Sequence, residues 1–119
     1  MRHWNLHEIE TPEGTRSPVV LHSRDGEDRV VLLRLAPGQG LGEHQVREAA
    51  LLLVLDGRVR VDSSGTSVDA GPGMLFRFDP AERRSVTSED GARVLLTLAP
   101  WPGEGHYSGE RAESRISAS

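Results

Sequence analysis

The sequence has 119 residues, a formal net charge of −4 and no cysteine. A chain of this length buries about two thirds of its unfolded surface, so we expect one folded domain with a real core. The lack of cysteine excludes disulfides, thiol nucleophiles and thiolate metal sites. The 14 basic residues are all arginine and are scattered among 18 acidic ones, so no basic stripe is available to bind nucleic acid.

The sequence also argues against a membrane location. No apolar run approaches the roughly 18 residues of a membrane span, and the first residues lack the apolar segment of a signal peptide. We therefore expect a cytoplasmic protein without a membrane partner. Only five residues are aromatic, two Trp, two Phe and one Tyr, so the core must be mainly aliphatic.

The first part of the chain predicts an arm and then a strand. Residues 1–29 mix polar side chains with isolated apolar ones and contain the turn-like Arg24-Asp25-Gly26, so we expect an N-terminal arm with edge strands. Residues 30–36 are aliphatic or β-branched except for one arginine, and the run stops at Pro37-Gly38. That pattern predicts a strand ended by a turn.

The strongest turn signal follows the next apolar run. Residues 50–55 predict a strand, and Asp56-Gly57 joins it to residues 58–62, in which Arg58 and Arg60 alternate with valines. An Asp-Gly pair between two strand-like runs is typical of a tight β-hairpin. We therefore predict that these two strands form a hairpin.

The remaining strands are short and are separated by Gly, Pro and a second Asp-Gly pair. Strict alternation places Met74, Phe76 and Phe78 on one face of a strand. Strand parity predicts an apolar interior lined by these three residues together with Val46, Ala50, Leu52 and Val54. Residues 93–99 predict a further strand, and residues 102–119 form a polar tail. Several short strands without an amphipathic helix predict an all-β fold, either a sandwich or a barrel.

The order and separation of several short motifs resemble the cupin superfamily. These motifs are Pro37-Gly38, His44 six residues after that glycine, Leu55-Asp56-Gly57, and a second block from Ala70-Gly71-Pro72-Gly73 to Asp79-Pro80. The resemblance implies a single-domain, double-sheet jelly-roll barrel like those of small bacterial cupins, whose functions are largely unassigned. It divides the chain into an N-terminal arm with edge strands (1–29), a barrel (30–101) and a polar tail (102–119).

Metal-binding cupins usually carry three histidines and a glutamate, and the resemblance implies where these would fall. The first histidine is His44, the second position holds Val46, and the glutamate position holds Ala50. The third histidine falls on Arg84, or on Ser85 if the count runs from the Asp-Pro pair. A single imidazole cannot hold a divalent ion tightly, and an arginine would repel one. We therefore expect no cofactor.

Two other residues could stand in for the missing metal ligands. Glu48 lies four residues after His44 and could turn inward, and His106 could fold back from the tail. If a metal is bound, we expect His44 with one of these two residues to hold it. Otherwise we expect Glu48 to be a solvated loop carboxylate.

Two residues are candidates for polar recognition. His44 is the residue most expected to face the cavity, where imidazole could serve as a general base or hydrogen-bonding group. The alternative is an interior histidine without a function. Arg84 could bind a carboxylate or phosphate through its planar fork, or it could be a rim arginine paired with Glu82 or another surface acid.

The predicted function is binding of a small, partly apolar molecule in the barrel without a metal. His44 and Arg84 would supply polar recognition, while Val46, Ala50 and Phe76 would form the wall. The apolar residues could equally be core and nothing more. The ligand itself is not assigned by the sequence.

Two enzymatic alternatives remain open. One is a metal-dependent oxygenase or isomerase with relocated ligands. The other is a metal-free isomerase or cyclase that uses His44 as its base with Tyr107 or Glu48 as partner. We also expect a homodimer, because small cupins like this one often pair through sheet edges and exchanged N-terminal arms, and an uncovered edge invites pairing.

Overall fold

The computed structural model describes residues 1–41 and 47–102, apart from the side chains of residues 15 and 16. After a short 3-10 helix at Leu6–Glu8, the described residues are almost entirely strands and turns. The strands are β1 (Gly14–Ser23), β2 (Glu27–Leu35), β3 (Ala49–Gly57), β4 (Val59–Ser63), β5 (Thr66–Ala70), β6 (Leu75–Phe78), β7 (Arg84–Thr87) and β8 (Ala92–Trp101). No helix long and apolar enough to cross a membrane occurs in these ranges.

The strands form two antiparallel sheets. One sheet has five strands in the order β1-β2-β8-β3-β6, and the other has three in the order β5-β4-β7. The two sheets do not close into a continuous barrel. The prediction of an all-β, double-sheet jelly roll is confirmed.

The core lies between the sheets and follows strand alternation. In β8, Val94 and Leu96 face inward while Arg93 and Leu95 lie on the outer face. The core cluster is Val31, Leu33, Leu35, Ala50, Leu52, Val54, Val59, Val61, Ala70, Phe78, Val86, Ala92, Val94, Leu96, Leu98 and Trp101. Each large aliphatic side chain in such a core contributes about 1.5–3 kcal/mol of transfer free energy, which makes this interior the main source of stability.

The predicted hairpin at Asp56-Gly57 is wrong. Strand β3 pairs with β6 and β8, whereas β4 pairs with β5 and β7, so the chain crosses from one sheet to the other at this point. Gly57 has φ +79°, and a Cβ there would lie 2.2 Å from the Gly91 carbonyl oxygen. The Asp-Gly signal therefore marks a left-handed residue at a close backbone approach, not strand pairing.

The tight hairpin lies one strand later. Strands β4 and β5 are in register from Val59↔Ala70 to Ser63↔Thr66. The two residues between them, Ser64 and Gly65, both have positive φ, 52° and 79°. Positive φ at both central positions is the requirement of a type I′ turn, which matches the twist of the flanking strands.

The N-terminal segment is fastened to the outer face of the five-stranded sheet. Arg93 donates hydrogen bonds to the carbonyl oxygens of Leu6 (3.0 Å) and Ile9 (3.3 Å). Arg34 donates to the carbonyl oxygen of Thr11 at 2.8 Å. These bonds from β8 and β2 hold residues that precede β1.

One residue predicted to face inward does not. Met74 precedes β6 and is 41% exposed, so its predicted place in the apolar interior is wrong. Its backbone still pairs with β3, because the Val54 N–H donates to the Met74 carbonyl oxygen at 2.9 Å. Alternation therefore holds for Phe76 and Phe78, which lie within β6, but not for Met74, which lies just before it.

Candidate ligand-binding site

Arg84 is the most unusual side chain of the interior. It is the first residue of β7 and pairs with Ser63 of β4. Its side chain points to the same side as Val86, a core residue two positions on, because side chains alternate along a strand. Only 2% of Arg84 is exposed. The prediction of a rim arginine paired with Glu82 is wrong on this point, because the residue is buried.

The guanidinium of Arg84 lies over an aromatic ring, and its terminal nitrogens have no hydrogen-bond acceptor among the described residues. Its central carbon lies 4.9 Å from the centroid of the Phe78 ring. Both terminal nitrogens, Nη1 and Nη2, are buried, and neither has a hydrogen-bond partner in the part of the chain that the structure describes. Burial lowers the pKa of Arg84 below its usual value, and the negative charges of Glu82 and Glu48 partly oppose that shift.

Glu82 lies near Arg84 but has other partners. Its Oε2 accepts a hydrogen bond from the Ser63 hydroxyl at 2.6 Å, and its Oε1 accepts from the Asp79 backbone N–H at 3.0 Å. These bonds, led by the one from Ser63, hold the pKa of Glu82 below its ordinary value. Glu82 therefore acts on Arg84 through its charge and forms no hydrogen bond to the two buried nitrogens.

Glu48 is fully buried, so the expectation of a solvated loop carboxylate is wrong. It lies one residue before β3 and two before Ala50, which faces the core. Its charge raises the pKa of Arg84, so the two groups are close enough to interact electrostatically. The sequence did contain a signal for this position, because Glu48 has the same parity as Ala50 and Leu52.

The predicted wall residues lie next to this buried pair. Ala50 is buried and is directly opposite Phe78 in the β3–β6 ladder. Phe76 is partly buried against the core, with its ring parallel to that of Phe78 and 6.4 Å from it. Arg84, Glu48, Ala50 and Phe78 thus form one group, which we call the Arg84 cluster, at the end of the interior where β3 and β7 begin.

Other predicted site residues are not placed. His44, Val46, His106 and Tyr107 lie outside the described residues. Arg84 faces the core, whereas Ser85 lies on the opposite side of β7. Ser85 helps to lower the pKa of the nearby Asp62 carboxyl, after the larger effects of Ser67 and Arg60.

The residues present do not fit a divalent cation at the position that the fold family uses. The glutamate position holds Ala50, and the third histidine position holds Arg84, whose two unbonded N–H groups face the interior. A guanidinium has no lone pair to donate and repels a cation. Of the described residues, Ala50 and Arg84 therefore offer no lone pair to a cation at these two positions.

One group of possible ligands does occur elsewhere in the described ranges. His22, Glu27 and Asp28 lie together on the β1–β2 hairpin, with His22 Nε2 at 3.3 Å from Glu27 and 3.4 Å from Asp28. They lie on the surface, and Arg2 also reaches the His22 ring. An exposed ion-pair group explains this arrangement without a metal.

Solved structures with this architecture are numerous and come from distant sequences. An RmlC-like cupin from Desulfovibrio desulfuricans is 22% identical with a TM-score of 0.72, covering 84% of this chain and 97% of that one. A Klebsiella pneumoniae protein with a double-stranded β-helix domain is 16% identical with a TM-score of 0.72, covering 87% and 93%. A Rhizobium leguminosarum protein of unknown function is 27% identical with a TM-score of 0.69, covering 84% and 97%.

These likenesses establish the class of fold, a double-stranded β-helix made of two antiparallel sheets. Within that class the chain has the fold of the cupin superfamily, as the resemblance of its motifs predicted. No family model and no curated protein matches the sequence. Ligand and activity therefore have to be argued from the Arg84 cluster.

Proposed function

We propose that this protein binds a small, partly apolar molecule inside the cupin fold, at the Arg84 cluster. The observation that supports this is a buried guanidinium whose two terminal nitrogens have no hydrogen-bond partner among the described residues. Burying such a charge costs free energy unless hydrogen-bond partners are supplied. A bound molecule that brings acceptors would remove that cost.

The predicted roles carry over to this proposal. Arg84 supplies polar recognition, together with His44, which lies outside the described residues. Ala50 and Phe76 form the apolar wall, for which Val46, outside the described residues, was also predicted. The Phe78 ring packs under the guanidinium of Arg84. A pocket with an apolar lining and a few polar groups is the usual form of a small-molecule site.

We propose that binding does not use a metal. Arg84 at a ligand position supports this, because its charge disfavours a cation there. Elemental analysis of the purified protein tests it. A stoichiometric transition metal that is lost in His44→Ala would favour the metal-dependent oxygenase or isomerase instead.

A second candidate is a metal-free isomerase or cyclase. The complete burial of Glu48 in the Arg84 cluster favours it, since a buried carboxylate can move a proton to or from a bound molecule. Glu48 and His44 would then act as an acid and base pair. In that case Glu48→Gln abolishes turnover of the bound molecule and leaves its binding measurable.

The binding function is tested with a small-molecule extract of the expression host. Native mass spectrometry of the full chain after incubation should show a one-to-one adduct of a small organic molecule. The matched variant is Ala50→Leu, which enlarges a buried wall residue next to Phe78 and should remove the adduct while the protein stays folded. If the wild-type protein forms no adduct, the proposal of a binding function fails.

A cytoplasmic homodimer stays a prediction. Support for pairing comes from the outer face of the five-stranded sheet, where Leu53 lies opposite both Leu95 and Leu75, and Leu75 is 58% exposed. A two-fold contact between copies would cover these leucines. Sedimentation velocity should give the mass of a dimer for the wild type and of a monomer for Leu75→Glu; a monomeric wild type would contradict the prediction.

A further inference from the structure

The unbonded atoms of Arg84 define what a ligand must offer. Nη1 and Nη2 are the two ends of one planar fork, both are buried, and both lack acceptors in the described residues. The central carbon of the guanidinium lies over the Phe78 ring, 4.9 Å from its centroid. Because the N–H groups of a guanidinium lie in its plane, the acceptors of a ligand reach them from the edge of that plane. Two parallel acceptors in that plane are the geometry of a carboxylate.

The charges near Arg84 limit how negative the ligand group can be. Glu48 and Glu82 both act on the guanidinium, and Glu48 is itself buried. A dianion placed on Arg84 would be repelled by these two carboxylates, in a region where burial weakens solvent screening. A singly charged, planar group is repelled less and still fills both acceptor positions.

We infer that the ligand carries a carboxylate attached to an apolar body, and that the carboxylate pairs edge-on with Nη1 and Nη2 of Arg84 while the body lies along Ala50 and Phe76. This deepens the proposed function and rests on it. Arg84 is then the residue that selects small organic acids over their neutral analogues and over phosphate.

The test is a titration by nuclear magnetic resonance of the full chain, which at 13.0 kDa gives resolved amide spectra. The probes are hexanoate and benzoate, their neutral amides hexanamide and benzamide, and inorganic phosphate, each to about 20 mM. Shifts of the Phe78 and Val86 backbone amides report binding. The variants are Arg84→Met, Arg84→Lys and the matched control Arg83→Met, which removes the same charge from the exposed neighbouring residue.

We expect at least one acid to bind the wild type and Arg83→Met with equal Kd, to within about twofold. Arg84→Met should weaken that acid at least about tenfold, the loss expected for charge-assisted hydrogen bonds. Arg84→Lys keeps the charge without the fork, and it should also bind severalfold more weakly. It serves as the working variant if Arg84→Met does not fold. The amides and phosphate should bind at least about tenfold more weakly than the acid.

The possible outcomes test the carboxylate ligand separately from the proposed small-molecule binding. If hexanamide or benzamide binds as tightly as the matching acid and shifts the same backbone amides of the protein, the inference of a carboxylate ligand is wrong. The proposed binding function is then unaffected. Acids that bind equally well to Arg84→Met overturn the role of Arg84. Phosphate binding more tightly than the acids replaces the carboxylate by a phosphorylated ligand. If no probe shifts the spectrum and no extract adduct forms, the function and the inference fail together.

Discussion

Arg84 and Arg93 are both buried arginines, 2% and 6% exposed, and their surroundings are opposite. Arg93 lies on the outer face of β8, where its Nε donates to Asp56 Oδ2 at 2.7 Å. Its Nη1 donates to the carbonyl oxygens of Leu6 and Ile9. The Arg93 guanidinium is thus used by the chain itself, as a clamp between the N-terminal segment and the sheet.

Arg84 faces the interior and its terminal nitrogens have no such partners among the described residues. The guanidinium of Arg84 instead lies over the Phe78 ring. The comparison shows that burial alone does not separate a structural arginine from one suited to a ligand. What separates them is whether the protein supplies the hydrogen-bond acceptors, because a buried donor without an acceptor carries the full cost of desolvation.

The largest effect is expected for Arg93→Met. This change removes an ion pair and leaves two backbone carbonyls without their donor, so the free energy of unfolding should fall by about 2–4 kcal/mol. Urea unfolding measures the loss, and limited proteolysis should cut the N-terminal segment sooner than in the wild type. Asp56→Asn keeps the carbonyl bonds and should lose only about 1 kcal/mol. If the Arg93→Met protein is as stable as the wild type, Arg93 does not have the structural role given to it here.

A smaller effect on stability is expected for Arg84→Met. No hydrogen bond from Nη1 or Nη2 to a described residue is lost, the desolvation cost of the buried charge is removed, and the methionine side chain can still pack on Phe78, so the free energy of unfolding should stay the same or rise by up to about 2 kcal/mol. The same urea experiment tests this. A loss as large as that of Arg93→Met would mean that Arg84 is also structural, and the two arginines would no longer differ.

The smallest effect on the free energy of unfolding is expected at Glu82, whose carboxylate is hydrogen-bonded to Ser63 and to the Asp79 backbone. These bonds depress the pKa of Glu82 in the folded state below its ordinary value of 4.5. A depressed carboxyl pKa stabilises the fold above the unfolded-state pKa, and that stabilisation is lost as the pH falls through the folded-state value. Ser63→Ala should therefore be less stable than the wild type at pH 7.

The difference between Ser63→Ala and the wild type should shrink as the pH falls below 4.5 and through the depressed folded-state pKa of Glu82, because Glu82 is then protonated in both proteins. Urea midpoints between pH 7 and pH 3 measure this. A difference that stays constant over the range would show that the Ser63 hydroxyl acts through its second bond, to the Arg83 carbonyl oxygen at 2.8 Å, and not through the Glu82 charge.

Much of the fold was predictable because strands and turns leave local patterns. The strand over residues 30–36 appears as β2, and the strand over residues 93–99 lies within β8. The inward set Ala50, Leu52 and Val54 follows from alternation alone. The Asp56-Gly57 signal failed because a positive φ suits a sheet crossing as well as a hairpin, and no local pattern says which strand a strand will pair with.

The candidate site was predictable only in part. The resemblance places Ala50 and Arg84 at former ligand positions, and both face the interior. It does not distinguish Arg84 from Ser85, and the charged residues near Arg84 suggest a solvated rim. The polar neighbours of Glu48 predict a solvated carboxylate, although its parity with Ala50 points inward. Because carboxylates are rarely buried, the usual exposure of Glu outweighs strand parity when Glu48 is judged from the sequence.

The class of fold, the approximate strands and the aliphatic composition of the interior are all predictable from the sequence. They are predictable because alternation and turn residues depend on neighbours within a few positions of the chain. The bond from Arg93 to a carbonyl 87 residues earlier in the chain depends on the folded arrangement, and so does the lack of partners for the terminal nitrogens of Arg84 among the described residues. Hydrogen bonds between distant segments depend on where the folded chain brings them together, and no spacing in the sequence records that.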